Sequence, residues 1–205
     1  MANALLTKEA FAQSLKDLII NDKLPFSEIT VNQIVNHCGL ARNTFYYHFR
    51  DKYELVNWIF YYDMFDKVDS FTNPSKLMES FVDVCKCLYT SRNFYFTCLQ
   101  CSEQNSLCEY LYRFYNKLWE IHLNIRYSES GYQPPDHIIS MSARLKARIM
   151  MNIISDWVAE GMKDNYLEYL ENVRPLLEAE FWQGTSIPYM EDPTDPLPMD
   201  QIVES

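Results

Sequence analysis

Glycine occurs only four times in 205 residues, at Gly39, Gly131, Gly161 and Gly184. Tight β-turns and phosphate-cradling loops need positive φ, which glycine alone adopts without strain, so this chain has little from which to build hairpins. A dinucleotide-binding fingerprint and a P-loop are excluded on the same ground. Apolar residues recur at helical spacing almost throughout, and alternation of strand length is hard to find. The expected fold class is therefore all-α, without internal repeats. With 48% apolar and 22% charged residues the chain can bury a core for one or two domains. Its start lacks a basic stretch leading into an apolar one, and no charge-free segment approaches the roughly 20 residues of a spanning helix. Neither an export signal nor a membrane span is expected.

The six cysteines (Cys38, Cys85, Cys87, Cys98, Cys101 and Cys108) are accordingly read as reduced thiols of a cytoplasmic protein. Net charge is −10, but it is unevenly spread. Residues 1–60 carry six Lys/Arg against six Asp/Glu, leaving 12 against 22 for the rest. The acidic remainder is a poor surface for nucleic acid, which suggests two modules with different partners.

The first helix is expected over about Thr7 to Asn21, with Phe11, Leu15, Leu18 and Ile19 on one stripe and Leu24-Pro25-Phe26 ending it. Thr30 followed by Gln33, with Ile29 and Ile34 outside them, reads as a capping box with a hydrophobic staple. That second helix stops at Gly39 after Cys38. A third runs from about Arg42 to Tyr47. Asp51 with Glu54 then opens a fourth, whose Leu55, Trp58, Ile59 and Tyr62 form a stripe. Five more helices are expected beyond it, with Asn73-Pro74, Ser91, Ser102 and Asn165 as cap candidates. After a loop over Gly131 to Pro135 a long helix should run from about His137 to Met162. Its Ile138, Met141, Leu145, Ile149, Met150, Ile153, Ile154, Trp157 and Val158 cover more than one stripe, as burial against both its own core and a second subunit would require. Tyr166, Tyr169, Leu170 and Val173 line the last helix, which Pro175 should kink or end.

Two short helices joined by a glycine turn and buttressed by a preceding amphipathic helix constitute a helix-turn-helix. Ile34, Val35, Cys38, Leu40 and Phe45 suit its shared core. Arg42, Asn43, Thr44, Tyr46 and Tyr47 then point elsewhere. Arg presents a fork to guanine, Asn pairs with adenine, and Thr meets a base edge or the thymine methyl. Tyr46, Tyr47, His48 and Lys52 suit phosphate oxygens.

The stretch from Ile29 through Cys38-Gly39-Leu40-Ala41-Arg42-Asn43-Thr44-Phe45-Tyr46-Tyr47-His48-Phe49-Arg50-Asp51-Lys52-Tyr53-Glu54-Leu55 resembles the DNA-binding domain of the TetR/AcrR regulators, strongly over about residues 7–62. The flanking aromatic residues resemble in particular the branch that contains the activator of dihydroxyacetone kinase operons. The resemblance implies that Thr30, Tyr46, Tyr47, His48 and Lys52 touch phosphates of double-stranded operator DNA, while Asn32, Arg42, Asn43 and Thr44 face base edges. It further implies about nine helices, a homodimer through the last two long ones, and a pocket in the C-terminal domain. Members of the branch can work with a separate ligand-sensing protein.

On this reading residues 1–52 form the helix-turn-helix domain, a helix over 51–71 links it onward, and 53–183 form an effector and dimerisation domain. Residues 184–205, with four Pro, five acidic residues and no Lys or Arg, read as a disordered tail. The expected dimer interface comprises Leu145, Ile149, Ile153, Trp157, Tyr166, Tyr169, Leu170 and Val173. The expected function is a sequence-specific regulator whose operator affinity is set by a small molecule or partner protein; the alternative is an adaptor whose acidic domain binds a ligand-sensing protein. No catalytic group is assembled by the four His, and no cofactor is expected. Cys98-x-x-Cys101, Cys108 and the Cys85/Cys87 pair lack the second cluster that a metal knuckle needs, so no metal is expected. The aromatic set Phe94, Tyr95, Phe96, Tyr110, Tyr112, Phe114, Tyr115 and Trp119 suits the lining of a pocket and, for most of its members equally well, ordinary core packing.

Overall fold

The computed structural model describes residues 2–64, 76–101 and 105–181. Among them lie nine α-helices and no strand: α1 (Ala2–Ile20), α2 (Val31–Cys38), α3 (Arg42–His48), α4 (Lys52–Asp63), α5 (Leu77–Thr90), α6 (Arg92–Leu99), α7 (Leu107–Ser130), α8 (Asp136–Ala159) and α9 (Tyr166–Phe181), with a short 3-10 turn at Phe26–Glu28. The chain divides into two units, 1–172 and 173–205. Of the second, only the last turns of α9 are described. The expected extension of α4 to residue 71, the Asn73-Pro74 and Ser102 caps and the 184–205 tail lie outside the described residues.

Local chemistry sets the helix ends. Thr30 and Gln33 exchange both bonds of a capping box: Gln33 N–H donates to Thr30 Oγ1 (3.3 Å) and Thr30 N–H to Gln33 Oε1 (2.8 Å). Ile29 and Ile34 beside it are buried. At the other end Gly39 sits at φ 69°, and Leu40 N–H reaches back to Val35 O (3.0 Å). Asp51 caps α4 by accepting from Glu54 N–H (2.8 Å), and Asn165 Oδ1 accepts from Leu167 and Glu168 N–H groups at the start of α9. Ser91 occupies the N-cap of α6 but makes no side-chain cap bond; Ser106, which the sequence reading passed over, caps α7 through Glu109 N–H (3.4 Å). Helix α1 begins a turn earlier than expected. Helix α9 runs through Pro175 instead of ending there, reaching Phe181.

The core of the N-terminal module is aromatic. Phe11 of α1 meets Phe45 of α3 edge to face at 5.2 Å, and Phe49 closes the cluster. Buried Ser14 donates to Ile34 O (2.7 Å), which satisfies its own hydroxyl in the core and ties α1 to α2. Of the five expected core positions, Ile34, Val35 and Phe45 are buried, and Cys38 and Leu40 half-buried. Along α4, Leu55 and Ile59 are buried; Trp58 is half-buried and stacks on exposed Tyr62, whose hydroxyl donates to Glu9.

Helices α7 and α8 pack together along their lengths around Trp119, whose indole N–H points at Met150 Sδ (3.2 Å). Phe94, Tyr95 and Tyr115 are buried with Trp119 as expected of core. Trp157 of α8 lies between Tyr89 and Tyr169, stacked on both at interplanar angles of 17° and 14°.

Candidate nucleic-acid interface

The glycine turn sets α3 across α2 and leaves one face of α3 to solvent. Phe45 is the anchor: fully buried against Phe11, it fixes the rotation of its helix. Three and two residues earlier, Arg42 and Asn43 are consequently exposed, as is Asn32 on α2; Thr44 is half-buried. Tyr47 stands 84% exposed, Tyr46 is exposed and His48 half-buried. Thr30 is exposed at the mouth of α2, its hydroxyl donating to Gln33 Oε1 (2.8 Å). The four residues expected at base edges and four of the five expected at phosphates thus lie on α2, its N-cap and α3.

Arg42 is already held. Its Nη2 donates to Tyr46 Oη (3.1 Å) one helical turn on, and the guanidinium carbon lies 5.4 Å from that ring's centre. Such a contact limits the rotamers of a long side chain while leaving the other donors of the fork for a base. Arg50 is paired with Glu54 at 3.3 Å, and its own N–H donates to the same carboxylate (2.6 Å).

Lys52 is placed differently from its neighbours. Its Nζ donates to the carbonyls of Phe26 (2.7 Å), Ser27 (3.0 Å) and Ile29 (2.8 Å), and lies 4.7 Å from the Phe26 ring centre. Three donors thus meet three backbone acceptors at the end of the 3-10 turn, just before the Thr30 cap. In this arrangement the ammonium clamps α4 to the entry of α2. A signal for it exists in the sequence: a cation in the first turn of a helix opposes the helix dipole, so a lysine there is best explained by acceptors elsewhere.

The same 3-10 turn is held from the other side. Phe26 N–H donates to Thr97 Oγ1 of α6 (3.1 Å); on the α4 side its ring meets Tyr53 edge to face at 5.3 Å, and Asn57 further along α4 separately donates to Asn105 O (3.1 Å). Thr97 and Asn105 gave no warning in the sequence, because a hydroxyl contact between residues so far apart leaves no periodic trace.

The expected dimer residues fall into two groups. Leu145 is 54% exposed, and Ile149 and Tyr166 are half-buried. Ile153, Trp157, Tyr169 and Leu170 are buried within the protomer itself, Tyr169 donating from its hydroxyl to Ile153 O (2.9 Å). Val173 opens the second unit. Exposed Met141, one turn before Leu145, extends the apolar strip on α8.

Every cysteine is a free thiol. Burial pushes the Cys87 thiol up to about 12, with the nearby Asp63 carboxylate adding to it, and Cys108 up to about 11; burial raises Cys85 and Cys98 further. Among the described residues no three His, Cys, Asp or Glu are arranged to hold a metal, and no helix is long and apolar enough to cross a membrane.

Residues 25–59 match the family described as bacterial regulatory proteins of the tetR family, and residues 75–179 match the one described as transcriptional regulator C-terminal region. The "HTH-type dhaKLM operon transcriptional activator DhaS" of Lactococcus lactis subsp. lactis is 29% identical over 69 residues, covering 34% of this chain and 36% of that protein, so the match spans about a third of the curated relative. Among solved structures, "Dihydroxyacetone kinase operon activator DhaS" superposes with a TM-score of 0.57 at 19% identity, over 86% of this chain and 96% of its own. NalD, the secondary repressor of the MexAB-OprM efflux pump in Pseudomonas aeruginosa, gives 0.58 at 16% identity, over 87% and 96%. The two family matches define the class as a DNA-binding transcriptional regulator. The chain belongs to the TetR family.

Proposed function

We propose that the protein is a homodimeric, cytoplasmic regulator without catalytic activity that reads an operator through Asn32, Arg42, Asn43 and Thr44, with Thr30, Tyr46, Tyr47 and His48 positioning it on phosphates. The single observation that carries this reading is the exposure of Arg42 and Asn43 on a helix whose rotation Phe45 fixes. Residues 1–52 act as the reading module and 53–183 as the body, and the Met141, Leu145 and Ile149 strip of α8 provides the self-complementary surface for a second copy. A small molecule or partner protein at the body then changes the distance between the two recognition helices, which must enter successive major grooves together.

Selection of bound duplexes from a random pool tests this. A palindrome with half-sites separated by about one helical turn or a multiple is expected; recovery of no common sequence would overturn the reading.

A further inference from the structure

Two clefts adjoin where α1, the junction of α5 with α6, and the residues just after α8 meet. The larger, about 400 Å³, has an apolar side built from Ile20 and Phe96 over buried Ile19 and Met162, and a polar side built from Lys23, Arg92 and Asn93. The smaller, about 280 Å³, shares Ile20, Arg92 and Asn93 with it and adds Lys16 and the Ser91 segment. Three cations therefore line the pair, and no Asp or Glu does. In a chain of 28 acidic and 18 basic residues that segregation is a property of the place, not of the composition.

Arg92 is held in advance. Its Nη1 donates to Tyr89 Oη (3.3 Å) and its guanidinium carbon lies 5.3 Å from that ring's centre, leaving further donors of the fork for a ligand and less rotamer freedom to lose on binding. Lys16 is shared with Asp63 of α4 at 3.5 Å, so Lys23 and Arg92 carry most of the uncompensated charge. The volume stands at the lower end of ligand sites, which combine apolar walls with a few convergent polar groups.

We infer that this paired cleft binds a small organic anion, its carboxylate or phosphate head against Arg92 and Lys23 and its short apolar body against Ile20 and Phe96. The walls come from α1 of the reading module and from α6 and the end of α8 in the body, so an occupant spans both. The ligand site stands independently of the regulatory reading; its effect on DNA affinity rests on that reading.

The test titrates the full-length protein with phenyl phosphate, benzoate, inorganic phosphate and uncharged benzyl alcohol, following heat release and the rise in melting temperature. Phenyl phosphate or benzoate is expected to saturate, with benzyl alcohol at least about tenfold weaker. Lys23 and Arg92 are exposed, so Arg92→Gln with Lys23→Gln should fold normally and bind about tenfold or more weakly, while Lys117→Gln on α7 binds as the parent does. Failure of both organic anions to saturate, equal binding by the double variant, or inorganic phosphate binding as tightly as phenyl phosphate would each overturn the site. Saturable binding that leaves affinity for the selected duplex unchanged would preserve the site and overturn only its coupling to DNA.

Discussion

Lys52 and Arg42 lie ten residues apart and differ in what surrounds them: one ammonium meets three carbonyls, one guanidinium meets a tyrosine and solvent. Substituting each should therefore fail differently. Arg42→Ala should relax base preference at one operator position by about 1–3 kcal/mol, seen as a flattened position in duplex selection. Lys52→Met leaves three carbonyl acceptors, two of them part-buried, with fewer partners and should lower the urea midpoint of the free protein. It should also weaken all duplexes while leaving the salt dependence of binding unaltered, whereas loss of a phosphate contact would reduce that slope by about one counterion. The exposure of Arg42 and Asn43 was legible in the sequence because Phe45 fixes a helix only seven residues long. Of the clamp only the misplaced cation in the first turn of α4 showed, and not its partners, since the acceptors lie more than twenty residues upstream and carbonyls carry no side-chain signature.

At the level of the helices, most starts and stops follow from neighbours within four residues, and those were readable: the Thr30 box, the Gly39 stop, the Asp51 and Asn165 caps. The bare Ser91 cap was not, because whether a serine hydroxyl reaches the backbone of the next turn depends on its rotamer and neighbours, not on its residue type. Gly39 separates two effects cleanly. A Cβ there would meet nothing within 4 Å, so Gly39→Ala reports the left-handed backbone alone and should cost about 1 kcal/mol in chemical denaturation. A much larger loss would mean that the turn between α2 and α3 has rearranged.

For the molecule as a whole, charge and association are the quantities to measure. Leu145 is exposed in the protomer, so Leu145→Glu should convert a dimer to a monomer by analytical ultracentrifugation without loss of helicity. Trp157 is unsuited to that test; its stacking between Tyr89 and Tyr169 makes it part of the protomer's own interior. That α8 carries more than one apolar stripe was readable from its sequence, but which stripe faces inward depended on Tyr89, far away in sequence. The thiols make a prediction of their own. An unfolded chain ionises them near 9.0, whereas the folded protein retains the Cys108 proton to about 11 and that of Cys87 to about 12. Between those limits the unfolded state binds fewer protons, so stability is intact below pH 9 and declines as pH rises, by up to about 1.4 kcal/mol per unit for each thiol. Urea melts at pH 8 and pH 10 would show it, the midpoint falling at the higher pH.

The hydroxyl of Thr97 that receives the Phe26 amide also limits how the molecule can be taken apart. A chimera grafting residues 1–60 onto an unrelated helical body would strand that amide, loosen the seat of α2 and blunt discrimination between operators. Transplanting the DNA-reading head intact requires bringing along the piece of α6 against which it is docked.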